Sequence, residues 1–192
     1  MIRKALLVLK DAVNDYLSTN SGWGPADSDF GQVIFLESEK VDVIDFKMGA
    51  ITLLLVNVEE EHAVRPADRY KRTVSNGTEQ NVAPPIHLNI HVLFVARFSD
   101  YTQSLRYISL ILQFFLARRC LDHENTPALD ARIEKLALDL LTLPLAEQNN
   151  LWGILRTAYQ PSLLYKIRMI VFQDEDAVIV PPATEPRTSI AP

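Results

Sequence analysis

The order of apolar and polar positions divides the chain into helical, extended and unpatterned stretches. Ile2, Leu6, Leu9, Val13 and Leu17 recur at spacings of three and four, with Arg3, Lys4, Lys10, Asp11 and Asp15 between them. That is the stripe of an amphipathic helix over residues 2–18. Residues 18–31 hold three of the six glycines together with Pro25, a loop composition. Residues 32–37 (QVIFLE) form a short strand-like run. Residues 50–58 (AITLLLVNV) are almost continuously apolar and β-branched, which predicts a central strand buried on both faces before Glu59, Glu60 and Glu61 turn it toward water.

Residues 62–83 have no period and carry Arg65, Arg69, Lys71 and Arg72 ahead of Asn76-Gly77, which predicts a long mobile loop or a flexible hairpin. Pro84-Pro85 ends it, and residues 86–98 (IHLNIHVLFVARF) begin in strict alternation and finish wholly apolar, a long strand with a buried second half. Asp100 with Gln103 resembles a capping box. Leu105, Ile108, Leu112 and Phe115 then make one helical stripe, and Tyr107, Ile111 and Phe114 make another. The helix at 101–118 therefore has an apolar arc wider than one face needs, so it is either sandwiched inside the domain or half covered by another subunit.

Residues 120–131 are polar, with Pro127. Residues 132–142 (RIEKLALDLLT) fit a strand alternation at Leu136, Leu138 and Leu140 and equally a helical spacing at Ile133, Leu136 and Leu140. Pro144 suits the first turn of a helix running through Leu151, Leu155 and Ala158 and stopping before Pro161. Gly153 inside it suggests a close backbone approach. Leu163, Tyr165, Ile167, Met169 and Val171 alternate with Lys166 and Arg168, a half-buried closing strand. Past residue 172 the chain turns acidic and then proline-rich, outside the core. The reading is thus one α/β (α+β) domain over 1–172 and an extended tail over 173–192.

Composition narrows the function classes. With 192 residues, a net charge of −5 and 48% hydrophobic residues, the chain suits one core without staples. A pI near 5.4 argues against a protein that coats nucleic acid. The single cysteine, Cys120, forms no internal disulfide. The apolar run at residues 5–9 is cut by Lys10 and Asp11, and no stretch approaches about 18 apolar residues, so neither a secretory signal nor a membrane span is expected. The expected setting is the cytoplasm.

Candidate chemistry is sparse. Neither a GxGxxG nor a GxxxxGK[ST] string occurs, which removes the familiar nucleotide sites. His87, Asn89 and His91 share one face of a strand, with the histidines about 13 Å apart by strand rise, too far to chelate one ion. A solvated face explains them. Asp122-His123-Glu124 sits in a polar connection, and Cys120 follows Arg118 and Arg119 at a helix end, without a placed base. Two rival functions stay open: a small hydrolase using Glu59, Glu61 or His87, and a phosphate-binding module through the basic loop 65–72. No catalytic residue, cofactor or metal ligand is assigned.

Three strings add a resemblance: LLLVNVEEE at 53–61, PPIHLNIHVLFVARFSDYTQSLRYISLILQFF at 84–115 and LWGILRTAYQPSLLYKIRM at 151–169. Together they resemble the tail-terminator, or cap, family of phage-tail-like extracellular contractile injection systems. The last string is the most specific, through Trp152, Gly153, Tyr159, Pro161, Tyr165, Lys166 and Arg168. The resemblance covers residues 1–172 and implies a mixed or mainly antiparallel sheet packed with two or three helices, with 132–142 a strand. It also implies a non-enzymatic subunit of a homohexameric ring that ends the inner tube and the contractile sheath, assembled in the cytoplasm on a particle that can be released, with no nucleic-acid or membrane partner. The motif residues then hold the fold. The segment 61–83 and the tail after 173 match no family pattern. By inference from their charge and exposure, partner contacts are expected at Arg65, Arg69, Tyr70, Lys71 and Arg72 and at Asp174, Glu175, Asp176, Val178, Ile179 and Val180, whose apolar run suits strand addition to a neighbouring sheet edge.

Overall fold

The structure is a computed structural model and describes residues 1–20, 30–36, 44–61, 72–73, 79–80 and 86–171. Helix α1 (Ile2–Asn20) leads through strand β1 (Val33–Phe35) into β2 (Ala50–Glu60). A two-residue ribbon, β3 (Arg72–Thr73) and β4 (Glu79–Gln80), precedes the long β5 (Ile86–Arg97). Helix α2 (Tyr101–Ala117), β6 (Cys120–Asp122), β7 (Ile133–Leu141), α3 (Leu145–Leu155) and β8 (Ser162–Val171) follow. The main sheet runs β1-β2-β5-β8-β7-β6. Only β1 and β2 are parallel; every other neighbouring pair is antiparallel. The fold is therefore mixed α+β, with three helices on a mainly antiparallel sheet.

Strand alternation assigns the two faces. Ile90, Val92, Phe94 and Ala96 of β5 join Tyr165, Ile167 and Met169 of β8 and Ile51 and Leu53 of β2 in one core. Over it lie Leu6, Leu9, Val13 and Leu17 of α1 and Tyr107, Ile111, Phe114 and Phe115 of α2. The intervening residues Leu93 and Val95 point the other way, into a smaller core with Phe46, Trp152 and Leu155. Residues 92–96 are buried on both sides because α1 and α2 cover one face there and α3 the other.

Local chemistry fixes the edges. The Asn14 side chain accepts from the Val33 N–H at 2.7 Å and donates to the Val33 carbonyl at 3.0 Å, so α1 satisfies both polar groups of an edge-strand residue. Gly31, just before β1, has φ +72°, and a Cβ built there would lie 2.1 Å from the Tyr107 hydroxyl, so both backbone and space demand glycine. At the start of α2, the Asp100 carboxylate accepts from the Thr102 N–H at 2.9 Å.

Four expectations need correction. β2 is a central strand only over Ile51–Leu53, where β1 covers it; beyond that, its one described neighbour is β5, and Leu55 and Val58 are exposed. The central strands are β5 and β8. The polar run after α2 contains β6, three residues that pair with Lys135–Ala137 of β7; so short a run carries no period to read, and it places Cys120 in a strand. Helix α3 stops at Leu155, because Arg156 adopts the left-handed conformation, φ 52° and ψ 36°. Pro144 holds the cap position before the first turn.

An ion cluster ties α1 to the connection before β7. Asp130 meets Lys4 Nζ at 2.8 Å and Arg132 Nε at 3.2 Å, with its own side chain 8% exposed. The Arg132 and Lys4 hydrogen bonds hold its carboxyl well below the usual carboxylate range. A lowered folded pKa means that the unfolded chain binds the proton first as pH falls, so the contribution is complete above the ordinary carboxylate pKa and fades below it. Thermal melts of Asp130→Asn should therefore show a lower Tm at neutral pH, a constant gap above about pH 5 and a closing gap below about pH 4.

Candidate interaction surfaces

The sheet face opposite α1 and α2 carries a polar band at the end far from α3. Pairing places Asn57 opposite His91, Glu59 opposite Asn89, and Asn89 and His91 opposite Arg168 and Lys166. This is the shared face expected for His87, Asn89 and His91, but Asn89 is not solvated. It is 4% exposed, and its Nδ2 donates to Glu61 Oε2 at 2.9 Å while its Oδ1 has no partner among the described residues. Glu61 thus orients a buried amide, and Arg168 meets Asp139 at 2.9 Å on the surface. Exposed pairs of that kind contribute little. Glu59 donates nothing to a shared acid–base pair: its Oε1 accepts from Asn57 at 2.8 Å.

The other chemical candidates resolve into structure. Asp122 Oδ1 accepts from the N–H groups of Glu124 and Asn125, both at 3.0 Å, and His123 Nε2 contacts the Ile133 carbonyl at 2.9 Å, so this triplet builds a turn. Burial, and then the neighbouring Asp122 charge, raise the Cys120 thiol pKa against the opposing pull of Lys135. A thiol held in its protonated form is a poor nucleophile. Among the described residues, no group of three His, Cys, Asp or Glu is arranged to hold a metal ion. Also among them, no helix is long and apolar enough to cross a membrane.

Two surfaces lack a partner within the described residues, one apolar and one of mixed polarity. Along α2, Tyr101, Leu105, Leu112 and Leu116 lie on the side away from Tyr107, Ile111 and Phe114, with Leu112 half-buried, while Ile108 on the flank packs against the main core. Tyr101 is 61%, Leu105 43% and Leu116 57% exposed. Of the two expectations for this helix, the described residues do not sandwich it: among them nothing covers the outer arc at Tyr101, Leu105 and Leu116.

The second surface is a groove of about 520 Å³ on α3, walled by Leu145, Gln148, Asn149, Trp152, Gly153 and Arg156 and closed by the chain at 157–159. The spacing of these helix residues is one continuous face of α3. Leu145 is 84% exposed beside it. Trp152 is buried, with its ring 5.5 Å from Tyr159 and 6.1 Å from Phe46, and its indole N–H has no acceptor among the described residues. A Cβ at Gly153 would meet nothing within 4 Å, so the close approach expected there does not occur within the described residues. A mid-helix glycine costs about 1 kcal/mol relative to Ala, and a left-handed non-glycine residue such as Arg156 adds roughly 1–2 kcal/mol.

Among the remaining motif residues, Pro161 and Tyr165 are buried, Lys166 is half-buried, and Tyr159 and Arg168 are exposed. Burial pushes the Tyr165 hydroxyl up to about 12. Arg65, Arg69, Tyr70, Lys71, Asp174, Glu175, Asp176, Val178, Ile179 and Val180 lie outside the described residues. Arg72 is described only as a backbone position in β3, paired with Gln80. That ribbon matches the hairpin alternative for this region. Sequence reasoning missed the Asn14 clamp and the α3 groove; Gly153 was the one visible signal of the latter.

Comparison with known proteins supplies the relationship. Residues 6–185 match the family model described as the Pvc16 N-terminal domain. No curated protein matches the chain by sequence. Among solved structures, it is similar to the PVC sheath/tube terminator of an extracellular contractile injection system in the extended state, with TM-score 0.59 and 14% identity over 96% of this chain and 61% of that one. It is also similar to the tube-terminating cap of the anti-feeding prophage, with TM-score 0.56 and 15% identity over 92% of this chain and 58% of that one. The chain thus spans about three fifths of either protein's length, and at such identity the likeness is one of fold. The family match covers nearly the whole chain, and it extends past residue 172, where the sequence pattern ends the domain. The chain belongs to the Pvc16 N-terminal-domain family, and its fold is similar to those of a sheath/tube terminator and a tube-terminating cap.

Proposed function

We propose that this protein is a structural, non-enzymatic cap subunit that closes the inner tube and contractile sheath of a phage-tail-like injection particle as a homohexameric ring. The observation that carries the reading is the family match over residues 6–185 joined to a fold shared with two terminators. The open apolar stripe of α2 supports the ring, because a subunit that closes head to tail must expose apolar surface when alone. In this reading residues 1–172 form the working domain. The basic residues Arg65, Arg69, Lys71 and Arg72 with Tyr70, and the tail from Asp174 to Val180, face tube, sheath or the adjacent subunit. Assembly takes place in the cytoplasm, and the cap leaves with the particle.

The polar band gives the hydrolase alternative no support: Glu61 is engaged with Asn89, and the groove lies at the opposite end of the strands from Glu59, Glu61 and His87. Native mass settles the choice. The purified protein, alone and mixed with its tube and sheath proteins, should give a species near six times 21.7 kDa, or rings bound only at tube ends. A monomer that ignores both partners refutes the cap.

A further inference from the structure

We infer that the α3 groove is the socket for the exposed stripe of α2 from a second copy, so that these two surfaces form the head-to-tail contact between subunits. The inference rests on the ring reading above and adds which residues meet. α2 lies on one face of the sheet and α3 on the other. The two surfaces are therefore distinct and separate on each subunit, as a heterologous contact requires, whereas a two-fold dimer would use one patch twice.

Shape and charge agree. The stripe is a convex ridge and the groove is concave. At 1.5 Å per residue the groove from Leu145 to Arg156 spans about 16 Å, enough for the part of the stripe from Tyr101 to Leu112, with Leu116 left beyond its end. Arg156 stands at the C-terminal end of the groove, and the exposed Asp100 stands at the N-terminal end of the stripe. Pairing these charges sets the helices antiparallel, which also opposes their dipoles. In that register Leu105 falls near Gly153 and Leu112 near Leu145. Gly153 then has a use: without a side chain, and with nothing of its own chain in the described structure near the Cβ position, it lets an incoming helix seat closely.

The test uses the full chain with Cys120→Ser, in two preparations, one carrying Leu112→Cys and the other Leu145→Cys. Each is assembled on tubes alone and as an equal mixture, then treated with a short bis-maleimide. Cross-linked dimers should appear in the mixture and be at least about tenfold scarcer in either preparation alone. A companion variant, Gly153→Leu, should keep or raise Tm, because the site is open and leucine is a better helix former, while weakening subunit association about tenfold or more. Tubes that are capped normally but yield no mixed cross-link, or a Gly153→Leu protein that assembles like wild type, would overturn the docking and leave the cap reading intact. A protein that neither associates nor binds tube ends overturns both.

Discussion

Replacing Phe94 with Ala is expected to destabilise the subunit by about 3–5 kcal/mol, with the denaturant midpoint shifted and the slope unchanged. Phe94 lies in the middle of β5 and is 0% exposed. Its ring packs 5.5 Å from Phe115 of α2 and 6.1 Å from Tyr165 of β8, and those two rings are themselves 4.4 Å apart. The three aromatics join a helix to both central strands, so truncating one leaves a void whose walls belong to different elements and cannot collapse together. Domains of ordinary stability hold about 5–15 kcal/mol in total, so the loss takes between about a fifth and the whole of that margin. Phe94→Leu, which keeps most of the volume, should cost clearly less. A Phe94→Ala loss below about 1 kcal/mol would mean that the core repacks around the missing ring, contrary to the layer arrangement described above.

The elements that were legible in the sequence are those whose periodicity is repeated enough times to reject alternatives. α1 shows five apolar positions on one stripe, β5 shows alternation that becomes continuous where both faces are covered, and α2 shows two stripes because it has an inner and an outer face. Residues 133–141 were ambiguous because leucines two apart and four apart satisfy both periods, and the family resemblance decided for the strand that the structure contains. β6 was invisible because three residues carry no period; its pairing depends on β7, which the local sequence does not display. The early end of α3 depends on the left-handed backbone of Arg156, a conformation usually signalled by glycine or asparagine. Asn89 read as solvated because alternation assigns a face and cannot reveal that Glu61 lies over it. The same limit governed the candidate surfaces. Periodicity identified the surplus arc of α2, and a lone glycine hinted at α3, but the groove itself arises from a helix face meeting the chain at 157–159, a relation between segments.

Trp152→Ala is expected to cost about 3–5 kcal/mol as well, but with a different distribution. Trp152 is 6% exposed and belongs to the smaller core with Phe46, Leu93, Val95 and Leu155. Its loss removes the main anchor of α3 while leaving α1 and α2 seated on the opposite face. Hydrogen exchange should therefore show α3 amides losing protection first, with β5 and β8 opening only in global unfolding. Tyr159 gives the contrast: it touches the same indole ring yet is 58% exposed, so Tyr159→Ala should stay within about 0.5 kcal/mol of wild type. If the groove serves only the fold, both variants should cap tubes in proportion to their stability. If it receives a second subunit, Tyr159→Ala will be stable and deficient in assembly. Trp152→Phe should be milder than Trp152→Ala, since it keeps an aromatic anchor under α3 and removes a buried N–H that has no acceptor among the described residues, a relief of about 1–3 kcal/mol in desolvation set against the lost ring area. If the groove receives a second subunit, it should assemble better than Tyr159→Ala at equal stability.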